Sequence, residues 1–221
     1  MTAPIVSRRI RIVVTIAAVL AVGVAALIFA AARDDGPART TTTVSEPVLV
    51  RPDSHRLATA PDGRVTLVEF LDFECEACRA MFPAVERLRE QYRDRVTFVV
   101  RYFPLPGHFN SERAARAVEA AAAQGRFEQM YQHMFDTQAQ WGEQRKPLDS
   151  VFRGFAADLG LDLAAFDAVY NDPATAARVL ADFDEGLALG VQGTPTFFVN
   201  GIKIGVGGYD DLAAALDSAL A

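Results

Sequence analysis

Hydrophobic positions along the chain change period several times, and each change marks an element. Residues 65–73 form a run rich in β-branched and aromatic side chains, which predicts a central strand apolar on both faces. From Ala77 the spacing becomes helical, with Phe82, Val85, Leu88 and Tyr92 recurring to about Tyr92. Residues 96–102 return to strand composition, and strand, helix, strand with a short return predicts a right-handed βαβ unit with parallel strands. A helical block then lies between Asn110 and Gly190, divided by breakers into segments at 111–124, 126–138, 148–159, 163–170 and 173–189. Asn110 or Ser111 is placed to cap the first of these, and Pro173 suits the first turn of the last. Near the C-terminus, Thr196-Phe-Phe-Val and Ile202-Lys-Ile flank Asn200-Gly201, which predicts an antiparallel hairpin. A closing helix is expected from Asp210 or Asp211 through Leu220, and an N-terminal edge strand from residues 48–51 or the stretch around His55. The class is α/β, a mixed central sheet flanked by helices, with the helical block inserted between the second and third core strands.

The N-terminus has a different pattern. Arg8, Arg9 and Arg11 precede an uncharged apolar run at residues 12–32, and Arg33, Asp34 and Asp35 follow it. At 1.5 Å per residue such a run covers roughly 31 Å, enough for a bilayer core of about 30 Å. Residues 1–33 are therefore expected to be a cytoplasmic N-terminus and a single-pass anchor, with the arginines inside and the rest of the chain outside the cytoplasm. A cleaved signal peptide competes, because Ala30-Ala31-Ala32 offers small residues, although an h-region usually runs about 7–15 residues. Residues 34–47, with Gly36-Pro37 and four consecutive threonines, read as a flexible linker, and 48–221 as one domain. Four of the 22 basic residues precede residue 34 and all 28 acids lie from residue 34 onward, so residues 34–221 carry a formal charge of −10 and are a poor partner for nucleic acid.

The chemistry concentrates where the first strong strand meets its helix. Cys75 and Cys78 are the only cysteines, and they open the helix. A helix start offers unpaired N–H groups and the positive end of the macrodipole, both of which favour a thiolate. Cys75 is then the exposed attacking sulfur and Cys78 the shielded, resolving one. Glu76 between them puts a like charge beside the thiolate, and Arg79 an opposite one. Glu69 is an acid inside an apolar strand, which is costly without a partner or a task.

Two cysteines supply half a tetrahedral zinc site, and His55, His108 and His133 have no ligand spacing with them, so each histidine is expected on the surface or in a loop and no metal or cofactor is expected. The aromatic and methionine stripe Phe127, Met130, Tyr131, Met134 and Phe135 reads as packed core, with a peptide groove as the other possibility. Trp141 sits in a polar connection, as a lid or an interaction residue.

Taken together, the segment resembles the active site of thioredoxin-fold proteins, and specifically of DsbA-like thiol-disulfide oxidoreductases. Glu69 lies six positions before the first cysteine, where the family keeps a buried carboxylate, and Pro83 lies five after the second, where the family's active-site helix is kinked. Gly193-Thr194-Pro195-Thr196 resembles the loop that carries a cis-proline beside the disulfide, and the helical block resembles the insertion of DsbA-like proteins. The resemblance implies a thioredoxin fold and a catalytic set of Cys75, Cys78, Glu69, Thr194 and Pro195. It implies a disulfide-forming oxidase of cysteine-containing secreted proteins, anchored in the membrane, monomeric, and recycled by a quinone-linked membrane redox partner of the DsbB or VKOR-like kind. The Cys75-Glu-Ala-Cys78 dipeptide lacks the histidine of the strongest oxidants, so a membrane-tethered thiol reductase of the same fold is the alternative. A tethered binding module with a structural disulfide is the reading from another class.

Overall fold

The structure is a computed structural model that describes residues 48–221. The anchor and linker expected at residues 1–47 lie outside the described residues. Among the described residues no helix is long and apolar enough to cross a membrane.

Five strands form one sheet: β1 (His55–Ala58), β2 (Thr66–Leu71), β3 (Thr97–Tyr102), β4 (Thr196–Val199) and β5 (Ile202–Ile204), in the spatial order β1-β3-β2-β4-β5. Only β2 and β3 are parallel, in register from Thr66 opposite Thr97 to Leu71 opposite Tyr102, and the other pairings are antiparallel. The parallel pair is joined by α1 (Glu76–Tyr92), as the βαβ pattern predicts. Strand β2 is central and almost wholly buried, which explains its apolar composition on both faces. The N-terminal edge strand is the stretch around His55, while Val48 to Arg51 forms no strand.

Five helices fill the connection from β3 to β4: α2 (Ser111–Ala122), α3 (Phe127–Trp141), α4 (Asp149–Asp158), α5 (Leu163–Tyr170) and α6 (Pro173–Ala188). Their breaks fall at the glycines and the proline that the sequence offers, with Gly125 and Gly160 at positive φ. Asp162 and Asp172 cap α5 and α6 through backbone N–H bonds, and Pro173 opens α6. Asn110 departs from expectation. Its side chain makes no cap and instead donates to the Gln144 carbonyl and accepts from Leu148 N–H, tying two loops together. The last helix, α7 (Tyr209–Leu220), follows the β4–β5 hairpin, whose Asn200 and Gly201 both take positive φ.

Two apolar layers sandwich the sheet. Leu67 and Leu71 face a large cluster with Val85, Leu88 and Tyr92 of α1, Leu212 and Leu216 of α7, and the cores of α2, α3 and α4. Val68 and Phe70 face a smaller layer with Phe103, Val191 and Phe198. Side chains alternate along β2, so Glu69 enters the larger layer. Met130, Tyr131, Met134 and Phe135 are buried core, and so is Trp141, whose indole N–H donates to the Met134 carbonyl and whose ring meets Phe152 edge-on. Behind the smaller layer, Arg101 of β3 is fully buried and donates to Asp182 and Glu185 of α6 and to the carbonyls of Val48 and Leu49.

Helix α6 approaches the sheet closely at Gly186, where an added Cβ would meet Phe103 ring carbons at 2.7 and 2.9 Å and Phe70 at 3.1 Å. Gly186→Ala should therefore lose about 1–2 kcal/mol although alanine is the better helix former by about 1 kcal/mol. A urea midpoint shifted down at unchanged slope checks this.

Candidate active site

The β2–α1 turn is built to present sulfur to a helix start. Cys75 is the N-cap of α1, with extended φ and ψ, and its own N–H donates to the Asp72 carbonyl. Helix α1 continues through Pro83, whose missing N–H leaves the Arg79 carbonyl without its usual donor. Cys78 sits one turn in. Both cysteines are thiols here, and their exposures are 6% and 1%, so Cys75 is the more accessible sulfur but far less exposed than the sequence implied. What covers it is the loop before β4: the Cys75 thiol donates to the Thr194 carbonyl at 3.4 Å, and the Thr194–Pro195 peptide is cis.

The two sulfurs titrate in opposite directions. The Cys75 pKa falls to about 6, chiefly because the Cys78 thiol donates to its sulfur; burial opposes this, while the Thr194 hydroxyl and the N–H groups of Cys78 and Ala77 reinforce it. The Cys78 thiol is pushed well up, by burial first, then by the hydrogen bond it gives to Cys75 and by the charge of Glu69. Glu69 itself is 4% exposed, and burial, with Glu86 and Cys75 adding, raises its pKa to about 8. The five predicted site residues thus come into one region: the charges of Cys75, Cys78 and Glu69 act on one another, the Thr194 carbonyl meets the Cys75 sulfur, and Pro195 lines the groove beside the turn.

Polar side chains around the turn brace it through hydrogen bonds. The Asp72 carboxylate accepts the N–H groups of Glu74 and Leu105 and the Nδ1 of His108 at 2.6 Å. The Glu74 carboxylate accepts the N–H groups of Asn110 and Glu143. Gln138 of α3 donates its amide to the carbonyls of Phe73 and Cys75 at 2.7 and 2.9 Å. Beside the turn, a groove of about 620 Å³ is lined by Ala77, Met81, Pro195, Ile204, Val206 and Tyr209 among others. Single ligand atoms of Glu76, His108 and Glu143 lie within 4.8 Å of one another. Both acids are exposed, and exposed acidic groups commonly gather without an ion, so the trio is taken as a charge cluster.

Residues 55–218 match the sequence family described as Thioredoxin. The chain belongs to the thioredoxin family. Its structural neighbours are DsbA-like oxidoreductases. A thioredoxin-like oxidoreductase from Silicibacter pomeroyi DSS-3 superposes with TM-score 0.65 at 28% identity, over 76% of this chain and 93% of that one. Alpha-DsbA1 of Wolbachia pipientis gives 0.69 at 19% identity over 78% and 94%, and oxidised BdbD of Bacillus subtilis 0.65 at 22% over 80% and 99%. Among curated relatives, a Na(+)/H(+) antiporter NhaA from Herminiimonas arsenicoxydans is 38% identical over 161 residues, which is 73% of this chain but 24% of the relative. The chain spans about a quarter of the length of the curated relatives it matches.

Within this thioredoxin-family frame, Asp72, Glu74, His108 and Gln138 are site residues that sequence reasoning missed. His108 is in a loop, as expected, but its side chain is only 16% exposed and points at the cysteine turn. Asp72, three residues before Cys75 and just past the strand, carried the one local signal, an acid placed to accept turn N–H groups. His55, also expected at the surface, is stacked on Phe127 and bonded to Glu119.

Two pH dependences follow. Alkylation of the reduced chain by iodoacetamide should rise with a midpoint of about 6 and be nearly flat above pH 7, all of it at Cys75, whereas an ordinary cysteine would still be rising near its pKa of about 8.5. Mass spectrometry of the labelled peptides checks both midpoint and site. Glu69 ionises at a higher pH folded than unfolded, so the stability it allows is full below about 4.5 and is lost as pH rises through about 8. Over that window stability should fall by up to about 1.4 kcal/mol per pH unit, and Glu69→Gln should flatten the slope in urea titrations.

Proposed function

We propose that this chain is an extracytoplasmic thiol-disulfide oxidoreductase whose net reaction is disulfide formation in secreted proteins. The observation that carries the reading is the split titration of Cys75 and Cys78. A thiolate favoured at Cys75 stabilises the reduced pair, and so makes the disulfide the stronger oxidant. At pH 7 a pKa of about 6 stabilises the reduced form about tenfold over an unperturbed thiol, which raises the potential by about 30 mV.

The chemistry starts from the Cys75–Cys78 disulfide. A substrate thiolate attacks the Cys75 sulfur, the S–S bond breaks, and the electron pair leaves on Cys78. A thiolate there is strongly disfavoured, so it takes up a proton, and Glu69, a buried carboxyl whose pKa is raised to about 8 and whose charge acts on Cys78, would give it. A second substrate thiolate then attacks the substrate sulfur of the mixed disulfide and expels Cys75 as a thiolate, a good leaving group because of its low pKa. The substrate loses two electrons, and the cysteine pair gains them. The groove lined by Met81, Pro195 and Tyr209 would hold the substrate chain beside Cys75. Under this reading residues 12–32 tether the domain to the membrane, and a quinone-linked membrane partner reoxidises the pair. Similarity to part of proteins named as antiporters supports a place at a membrane; transport is the named activity of those longer chains and is not proposed here.

The test is the reduction potential of the purified chain in glutathione buffers, read by thiol trapping, with Cys78→Ser to trap the mixed disulfide on Cys75. A potential of about −120 to −180 mV is expected for an oxidase. One near about −270 mV overturns the oxidase in favour of the tethered reductase.

A further inference from the structure

Glu76 is a charge in the wrong place for the reading above. It stands between the cysteines, at the start of α1, and it is exposed. The structure answers it with a histidine from elsewhere in the chain. His108 lies in the loop between β3 and α2, and its Nδ1 is held by the fully buried Asp72 carboxylate at 2.6 Å. That carboxylate is itself fixed by the Glu74 and Leu105 N–H groups, so the ring has a set position. Beyond that contact lie Glu76 and Glu143, each with an oxygen within 4.8 Å of a ring nitrogen, and Nε2 is 4.0 Å from a Glu143 oxygen.

The groups facing His108 are Asp72 and Glu74 from the turn, Cys75 and Glu76 from α1, and Glu143 and Arg145 from the connection after α3. Four of these are carboxyls gathered around one imidazole. The Asp72 contact, the largest cause, holds the imidazole pKa up to about 9, with burial opposing and the charges of Asp72, Cys75 and Glu74 adding, so the ring is a cation at neutral pH. Glu143 is 64% exposed and is largely screened by solvent.

We propose that His108 is a positioning residue for the thiol chemistry: clamped by Asp72 and with a ring nitrogen within 4.8 Å of a Glu76 oxygen, it supplies the positive charge that offsets Glu76 beside Cys75 and raises the reduction potential of the pair. The proposal rests on the thiol-disulfide reading and adds to it a tuning group outside the Cys75-Glu-Ala-Cys78 motif. No redox step passes through the ring. It acts on the stability of the Cys75 thiolate through space.

The experiment uses the full chain. His108→Gln keeps a donor for Asp72 and removes the charge. Its equilibrium with glutathione should move about fivefold toward the disulfide, equivalent to about −20 mV, the size of a single partly screened charge. The thiolate absorbance of Cys75 should titrate at correspondingly higher pH. Glu76→Gln should move both readouts the other way, and the double variant should return near the starting values. A measurement on the unaltered chain guards against a variant that misfolds. Because coupling is reciprocal, His108 should hold its proton about fivefold more tightly in the reduced chain than in the disulfide form, read from its ring proton resonances against pH. An unchanged potential in His108→Gln, or identical His108 titration in the two redox states, overturns the proposal while leaving a reversibly cycling pair and the oxidoreductase reading intact. A pair that cannot be cycled at all overturns that reading, and this proposal with it.

Discussion

The structure turns on the donors gathered at the start of α1 around the Cys75 sulfur: the Cys78 thiol first, then the backbone N–H groups of Cys78 and Ala77, which have no helical partner. Any helix has such groups, and an anion is the natural thing to place there. Their use here depends on delivery. The central strand must end at Leu71, so that Asp72, three residues before Cys75, can gather the turn, and the helix must start at Glu76 with Cys75 as its cap. The parallel β2–β3 pair supplies the rigid frame, and the helical block supplies the braces, through Gln138, Asn110 and the connection at Glu143.

Burial then separates the two sulfurs. Cys75 has donors around it and becomes the anion, while Cys78, one turn deeper and next to Glu69, is kept as a thiol. Glu69 is in the same apolar layer and is neutral for the same reason. The protein's interior thus holds two protonated groups whose charge acts on one reactive sulfur, at the expense of stability that a leucine at position 69 would not sacrifice.

The parts of this arrangement that were legible in the sequence are those written in local spacing. Strand and helix periods located β2, α1 and β3, and glycines and prolines punctuated the helical block close to where it breaks. The Asn200-Gly201 hairpin and the cysteine pair at a helix start were equally plain. Trp141 misled because its neighbours are polar, whereas the chain there turns its ring inward against Phe152. The bracing groups were hidden because their partners are remote: His108 meets Asp72 across 36 residues, Gln138 meets Cys75 across 63, and Asn110 meets Glu74 across 36. No periodicity records such a pairing, and a histidine in a loop looks the same in sequence whether it faces water or a sulfur.

Arg101 carries a consequence for how the chain is made. Its guanidinium is sealed in the sheet, and its counter-ions Asp182 and Glu185 come 81 and 84 residues later. A nascent chain that has emerged only through β3 holds an uncompensated cation at the position it must bury, and the sheet cannot close around it until α6 arrives. Thr194 and Pro195, which cover Cys75, come later still. Synthesis therefore produces the two cysteines long before the fold that shields one and activates the other. Through that interval they are two ordinary thiols, open to whatever oxidant the compartment holds, and only completion of the last third of the chain makes them a matched pair.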